Sequence, residues 1–426
     1  MRKMTTDLLT WVAQRTVLRS QKDGIDLSKL TFVPNRWLMP LRRDGLDPVA
    51  PLAKTRAETP VKKLASLLGM NIWLVTGHAE AQAVLADRTS YSNDIRPLVG
   101  EVGAADGDIG GLGFTDPPDH TRLRKLLTPE FTMRRLARLT PKIDEIIEHQ
   151  LDVMEEKGPE VDLMADFAFA VPFLVICELL GLPDESREEF FALGSARFDV
   201  SGGGAASFGA ISESRTFLMN ATKAQRDAPG DGLIGKIIEE VGDGISDYDL
   251  GGLADGAFTG GHETTASTIA LGAMVLMNDH ESRRRLIADE TFADPVVEEM
   301  LRYLTVVQIA FPRFAKHDHA LFGEQISKGD AVVCSLSGAN RDHRTGGPDL
   351  ENFNPHRDWP VSHITFGYGF HRCVGAELAR MELRAAYPKL FRRFPEMTLA
   401  CDSADLAFRQ RSIVYGVESM PVRLYG

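Results

Sequence analysis

Cysteine is scarce in this chain: four residues, at positions 177, 334, 373 and 401, out of 426. No two of them have Cys-x-x-Cys spacing, which excludes a zinc ribbon or knuckle, and scattered thiols fit a reducing compartment rather than a disulfide scaffold. Long apolar runs are lacking too. The longest, residues 167–177, contains Pro172 and stops at Glu178, well short of the roughly 18 apolar residues that a bilayer-crossing helix needs. The N-terminus, Met1-Arg2-Lys3-Met4-Thr5-Thr6-Asp7, has neither the apolar core nor the small-residue cleavage site of a secretion signal. No basic block occurs: 48 Lys and Arg against 60 Asp and Glu leave a net charge of −12, which repels phosphate backbones and argues against nucleic-acid binding. The expectation is a soluble, cytoplasmic protein with no membrane span.

What is present is ordinary globular usage, 43% hydrophobic and 25% charged. Length alone suggests two or three domains, yet no repeat or Pro/Ser-rich linker divides the chain, so a single large core with room for a cofactor and a substrate is expected over residues 1–426. Residues 71–76 predict a short strand and 79–86 a helix. A Gly/Asp-rich stretch between 92 and 115 reads as a loop. Helical periodicity dominates 119–236, broken at Pro159, Pro183 and Gly202-Gly203-Gly204, and returns over 250–277 and 375–394. Short β-rich pieces fall at 331–334 and 413–415. Helices outnumber strands without βαβ alternation, which predicts a mainly α (α+β) protein.

Four segments carry candidate chemistry. In Phe366-Gly367-Tyr368-Gly369-Phe370-His371-Arg372-Cys373-Val374-Gly375, paired glycines permit a tight turn or close approach to a flat ligand. Cys373 precedes a helix whose free N–H groups and dipole favour thiolate. A buried cysteine in a Gly-rich turn is the alternative, and Cys177 and Cys334, in apolar runs, read as inert core residues. In Glu299-Met300-Leu301-Arg302, Glu and Arg share a helix face at i,i+3, although Glu298 is placed as well at i,i+4. Gly260-Gly261-His262-Glu263-Thr264-Thr265 puts two glycines inside a helix, either as a packing contact or as a kink that opens the backbone beside Glu263 and Thr264. In Asp116-Pro117-Pro118-Asp119-His120-Thr121-Arg122-Leu123-Arg124, His120 and Arg124 project together, as a solvated basic face or as an anion site.

Together these residues resemble the cytochrome P450 haem-thiolate monooxygenases, whose cysteine loop, Phe-Gly-x-Gly-x-His-x-Cys-x-Gly, is matched at every fixed position, from Phe366 to Gly375. The resemblance runs in order from about residue 70 to the C-terminus, with residues 1–50 poorly matched. It implies the P450 fold, a large helical domain with a smaller β-rich region and haem b between a distal oxygen-binding helix and the cysteine-loop helix. It makes Cys373 the axial iron ligand. It places Gly260 and Gly261 beside the haem, with Glu263 and Thr264 as an acid–alcohol pair delivering protons. It assigns His120, Arg124, Arg313 and His371 to the haem propionates, which suits charge-assisted hydrogen bonding. It selects Glu299, Arg302 and Arg357 as a buried structural triad, gives Asn340-Arg341-Asp342 a structural role, and leaves His262 incidental.

The implied activity is insertion of one oxygen atom from dioxygen into an organic molecule, with electrons from NAD(P)H. No flavin or nicotinamide module fits in the chain, so a ferredoxin and its reductase are the expected partners, and Lys125, Arg372, Arg380 and Arg384 form a candidate basic docking patch. By resemblance the substrate pocket is lined by the 92–115 loop, the 167–215 helices, Ala257, Phe258, Val307, Gln308, Ile309, Ile413 and Val414. Such a lining suits a hydrophobic or amphiphilic molecule, and the form of the chain suggests tailoring in secondary-metabolite or antibiotic biosynthesis, on a polyketide or sugar-bearing intermediate. The competing readings are a peroxide-driven peroxygenase, and a non-catalytic haem sensor or carrier.

Overall fold

The computed structural model describes residues 34, 36–67, 69–94, 112–198, 205–347, 349–358 and 361–426. Most of the expected 92–115 loop and the Gly202-Gly203-Gly204 break lie outside them.

In chain order, the elements that position the site begin with α1 (Ala50–Glu58), β1 (Val61–Leu67), β2 (Met70–Val75), α2 (His78–Ala86), β3 (Tyr91–Ser92) and α3 (Asp119–Leu127). There follow α4 (Thr140–Lys157), β4 (Glu160–Asp162), α5 (Ala170–Leu180), α6 (Arg187–Phe198), α7 (Ala205–Asp227), α8 (Leu233–Val241) and α9 (Asp247–Asn278). The chain continues with α10 (His280–Ala288), α11 (Ala293–Leu304), β5 (Arg313–Ala315), β6 (Ala331–Cys334), α12 (Ala376–Arg393), β7 (Thr398–Leu399) and β8 (Pro421–Arg423).

The helices share one large core. α5 is apolar except at Glu178, with Phe173, Val175, Ile176 and Leu179 all buried, as befits a helix largely enclosed by others. It ends at Gly181, which closes the last turn at φ 75°. The long helix α9 starts at a Ser246 cap, whose hydroxyl accepts from the Asp249 N–H at 3.1 Å, and carries Asp247 and Asp249 in its first turn, where the helix dipole favours anions. Its C-terminal half, residues 265–277, is buried throughout. There it packs on α12: the Tyr387 hydroxyl donates to the Thr268 carbonyl at 2.7 Å, in the space that Gly272 leaves for its ring.

A second, smaller core lies under a five-stranded sheet in the order β1-β2-β6-β5-β3. β6 runs parallel to β2, with Ala331 beside Ile72 and Cys334 beside Val75, and the other pairs are antiparallel. β7, β8 and β4 make a separate three-stranded sheet. This is the mainly helical α+β architecture expected. One local expectation needs correction. The tail at 413–415 is no strand: Val414 forms only an isolated bridge to Val307. Of the two readings of Gly260-Gly261, Gly261 shows the packing contact, since a Cβ there would stand 3.1 Å from the Ile176 Cδ1, and α9 is helical throughout from Asp247 to Asn278. Two glycines cost a helix about 1 kcal/mol each, and the buried remainder of α9 outweighs that.

Candidate active site

The cysteine loop is built by two left-handed residues, Gly367 at φ 71° and Gly369 at φ 72°. At Gly369 a Cβ would stand 2.6 Å from the Leu85 carbonyl oxygen of α2, so both its conformation and its neighbour require glycine. The Cys373 N–H donates to the Phe366 carbonyl at 2.8 Å and closes the loop. The Cys373 residue is accessible at its surface, in a recess whose protein walls push the thiol pKa up. The Gly375 N–H and the cations of Arg124, Arg372 and Arg380 oppose that push without overcoming it. The helix start and the three arginines act in the expected direction, towards thiolate, and burial acts against them.

Beside the loop, α3 and β5 bring cations together. The His120 and His371 rings lie 4.1 Å apart, centroid to centroid, and the Nε2 atom of each is buried without a hydrogen-bond partner among the described residues. Arg124 donates to the Arg372 carbonyl at 2.7 Å and Arg313 to the Phe311 carbonyl at 2.9 Å. Burial lowers the pKa of both imidazoles. Four basic side chains thus converge with donors left over.

On α9 a face is stripped of side chains. Among the described residues, a Cβ at Gly252, Gly256 or Gly260 would meet nothing within 4 Å, and Thr264 continues that i,i+4 stripe. The Thr264 hydroxyl donates to the Gly260 carbonyl at 2.8 Å. Glu263, next to it, is held by the Arg409 guanidinium at 2.6 Å. Burial raises the Glu263 pKa while Arg409 pulls it down. Arg409, which also donates to the Val417 carbonyl at 3.1 Å, escaped the sequence reading, and no motif announces it because its partner is 146 residues away. The stripe was visible in the spacing of Gly252, Gly256 and Gly260.

Glu299 resolves the i,i+3 against i,i+4 ambiguity. Its two oxygens accept from Arg302 at 2.8 Å each, and Arg357 stands 3.4 Å from one of them, with Glu299 at 0% and Arg302 at 1% exposure. Glu298 turns instead to Arg380 at 2.5 Å and His363 at 3.2 Å. Asn340 accepts from the Ile364 N–H at 2.8 Å and Asp342 from the His78 N–H at 2.9 Å, both tying chain to chain.

The expected pocket lining is only partly assembled. Val307, Ile309 and Val414 are half-buried, Ile413 is 42% exposed, and Val307 pairs with Val414. Ala257 is half-buried against the helical core. Phe258 is misassigned: fully buried, it packs 4.6 Å from the Phe190 ring in the core. His262, one turn on, lies on that same core face and bonds the Phe169 carbonyl at 3.0 Å. Gln308 is corrected as well, since its amide is consumed by Arg43, Leu41 and Ser412. The basic patch shrinks, because Arg380 pairs with Glu298 and Arg384 with Asp294 and Glu377, which leaves Lys125 and Arg372 exposed.

The Cytochrome P450 family model matches residues 210–402. Cytochrome P450 165B3 of Amycolatopsis orientalis is 36% identical over 388 residues, 90% of this chain and 97% of its own. Cytochrome P450 monooxygenase PikC of Streptomyces venezuelae is 35% identical, over 88% of this chain and 91% of its own. The solved structure of OxyE, a cytochrome P450 involved in teicoplanin biosynthesis, superimposes with a TM-score of 0.83 at 34% identity, covering 90% of this chain and 99% of that one. This chain belongs to the cytochrome P450 family.

P450s are haem-thiolate monooxygenases, and this one has residues that fit the group: an accessible cysteine in a recess, two orphaned imidazole nitrogens with two arginines beside them, and an open helix face bordered by Thr264. Among the described residues no helix is long and apolar enough to cross a membrane. Next to the loop, burial alone would raise the Glu298 pKa, but His363 and Arg380 outweigh it and bring it to about 2 from 4.5. A carboxylate depressed in this way stabilises the fold fully above the unfolded value and loses that contribution as pH falls from 4.5 towards 2. Glu298→Gln is accordingly expected to lower the urea midpoint at pH 7 and to flatten its decline between pH 5 and 3, relative to the parent protein.

Proposed function

We propose that this P450 is a tailoring enzyme of secondary metabolism that oxidises a bulky, mostly apolar small molecule, with Cys373 holding the haem iron as thiolate. His120, Arg124, Arg313 and His371 would bind the propionates. The observation that carries the assignment is the convergence of an accessible Cys373 with the unpartnered Nε2 atoms of His120 and His371. When bound, the haem supplies the redox chemistry that divides dioxygen and transfers one of its atoms to the substrate.

The chain's own residues do the rest. The Cys373 sulfur would hold the iron and supply it with electron density. Glu263, a carboxyl whose protonation burial favours, carries a proton to the Thr264 Oγ, which presents it at the open face of α9. The side-chain-free stripe of Gly252, Gly256 and Gly260 leaves room for a substrate along the helix, with Val307, Ile309, Ile413 and Val414 as the opposite wall. The biosynthetic setting is carried over from OxyE, a P450 involved in teicoplanin biosynthesis.

Electrons would come from NAD(P)H through a reductase and an acidic ferredoxin docking near Lys125 and Arg372. Arg134, also exposed, extends the basic surface on the segment after Phe131, whose ring would lie 3.7 Å from a Cβ at Gly375. Such steering weakens with salt.

A screen for substrates by spin-state change of the purified holoenzyme, followed by turnover with ferredoxin, reductase and NAD(P)H, tests the assignment. Thr264→Ala is expected to keep substrate binding while less product forms per NAD(P)H and peroxide accumulates. Full coupling in that variant would remove Thr264 from the proton path. Turnover with peroxide alone, and none with the reducing system, would favour the peroxygenase reading.

A further inference from the structure

Exposure alternates along residues 306–309: Val306 and Gln308 are buried, Val307 and Ile309 half-buried. Extended chain has this period of two, so Val307 and Ile309 share the more open face and Gln308 points into the protein. What meets Gln308 there is unusual for a lining strand. Its Oε1 accepts from Arg43 Nε at 3.0 Å, and its Nε2 donates to the Leu41 carbonyl at 3.1 Å and the Ser412 carbonyl at 2.8 Å. Its backbone N–H donates to the Ile413 carbonyl at 2.9 Å, and its carbonyl accepts from the Leu336 N–H at 2.9 Å.

Arg43 is 5% exposed. Besides Gln308 it donates to the Leu46 carbonyl at 2.8 Å, the Leu304 carbonyl at 2.6 Å and the Thr305 carbonyl at 2.9 Å. Its guanidinium sits 4.8 Å from the centre of the Tyr415 ring, and Tyr415 in turn donates to the Gly45 carbonyl at 2.6 Å. Three segments remote in sequence, 41–46, 304–308 and 411–415, therefore meet at one guanidinium and one amide. The turn they grip is strained: Thr305 has φ 38°, left-handed backbone that a β-branched residue rarely adopts. A slip of one residue after that turn would exchange Val307 and Ile309 for Val306 and Gln308 on the open face.

We propose that Arg43 and Gln308 are positioning residues that set the register of residues 306–310 and thereby decide which side chains wall the substrate cavity. The inference rests on Val307, Ile309, Ile413 and Val414 being that wall, as proposed above. A buried guanidinium bonded mainly to carbonyl and amide oxygens is a costly way merely to hold a strand, since apolar side chains of similar volume avoid the desolvation. What it adds is direction, because every bond in the node has one geometry.

The test uses the haem-loaded protein and two iron-binding probes, imidazole and 4-phenylimidazole, with dissociation constants read from the Soret shift. Imidazole reports the iron alone, and the phenyl group reports the wall. In Gln308→Leu and Arg43→Met, 4-phenylimidazole affinity should change about tenfold while imidazole stays within about twofold. Gln308→Glu, which keeps an acceptor for Arg43 but sets a carboxylate oxygen against the Leu41 and Ser412 carbonyls, should shift the ratio as Gln308→Leu does. If either single variant fails to fold, the double variant R43M/Q308L, free of an unpaired buried cation, should fold and show the same split. A parent-like ratio in the double variant, or parallel changes for both probes, overturns the inference. Ile309→Ala separates the two readings: if it also leaves the ratio unchanged, the wall assignment fails, and if it alone changes the ratio, only the positioning role fails.

Discussion

A Cys373→Ser variant is expected to fold, to lose the red-displaced Soret band of the reduced carbon monoxide complex, and to turn over slower by about three orders of magnitude, on the order of 4 kcal/mol of barrier. The exchange is nearly isosteric in a residue already accessible at its surface, so apoprotein stability should move by less than about 1 kcal/mol. Function should not survive. The recess pushes the thiol pKa up through burial, and the Gly375 N–H with Arg124, Arg372 and Arg380 only moderates this. A bound metal cation would complete the deprotonation, because ligation requires the anionic sulfur. A serine hydroxyl, far less acidic than a thiol, gives that metal a weaker hold on an anionic ligand. A variant that kept both the band and the rate would place the iron ligand elsewhere in the chain.

How much of this was legible in the sequence depended on the range of the interaction. The cysteine loop was readable because its demands are local: Gly367 and Gly369 supply left-handed backbone within a few residues of Cys373. Helix α9 and strand β2 were readable from periodicity, and the structure moves their ends by only a few residues. Phase was harder. Phe258 and Gln308 lie in the right segments but face away from the open side, and nothing local says that Phe190 and Arg43 wait behind them. Glu298 and Glu299 could not be separated by spacing, since both reach Arg302 on a helix. The choice is made by Arg380 and His363, which capture Glu298 from distant parts of the chain. Arg409 was not legible at all, because it reaches Glu263 from a C-terminal turn without regular structure.

Glu299→Ala is expected to be the most damaging substitution for the fold, at about 3–5 kcal/mol, a large fraction of the stability of an ordinary domain. Glu299 is wholly buried between two arginines, and its Oε1 also accepts from the Asn354 N–H at 2.8 Å. Arg302 also donates to the carbonyls of Asn340, Leu350 and Asn352, at 3.3, 2.7 and 2.9 Å, so the triad stitches α11 to Asn340 and to the chain from 349 to 357. Removing the carboxylate deprives a guanidinium of 1% exposure of the charge that both its Nε and its Nη2 donate to. The loss is then the desolvation of Arg302 rather than the value of one ion pair. This distinction can be measured by urea denaturation of the single variants Glu299→Ala and Arg302→Met beside the double variant. If stranded charge is the cause, the double variant should recover much of the loss seen in Glu299→Ala, because the cation leaves with its partner. If the triad acts instead by gripping the 349–357 segment, the double variant should be as unstable as the worse single one.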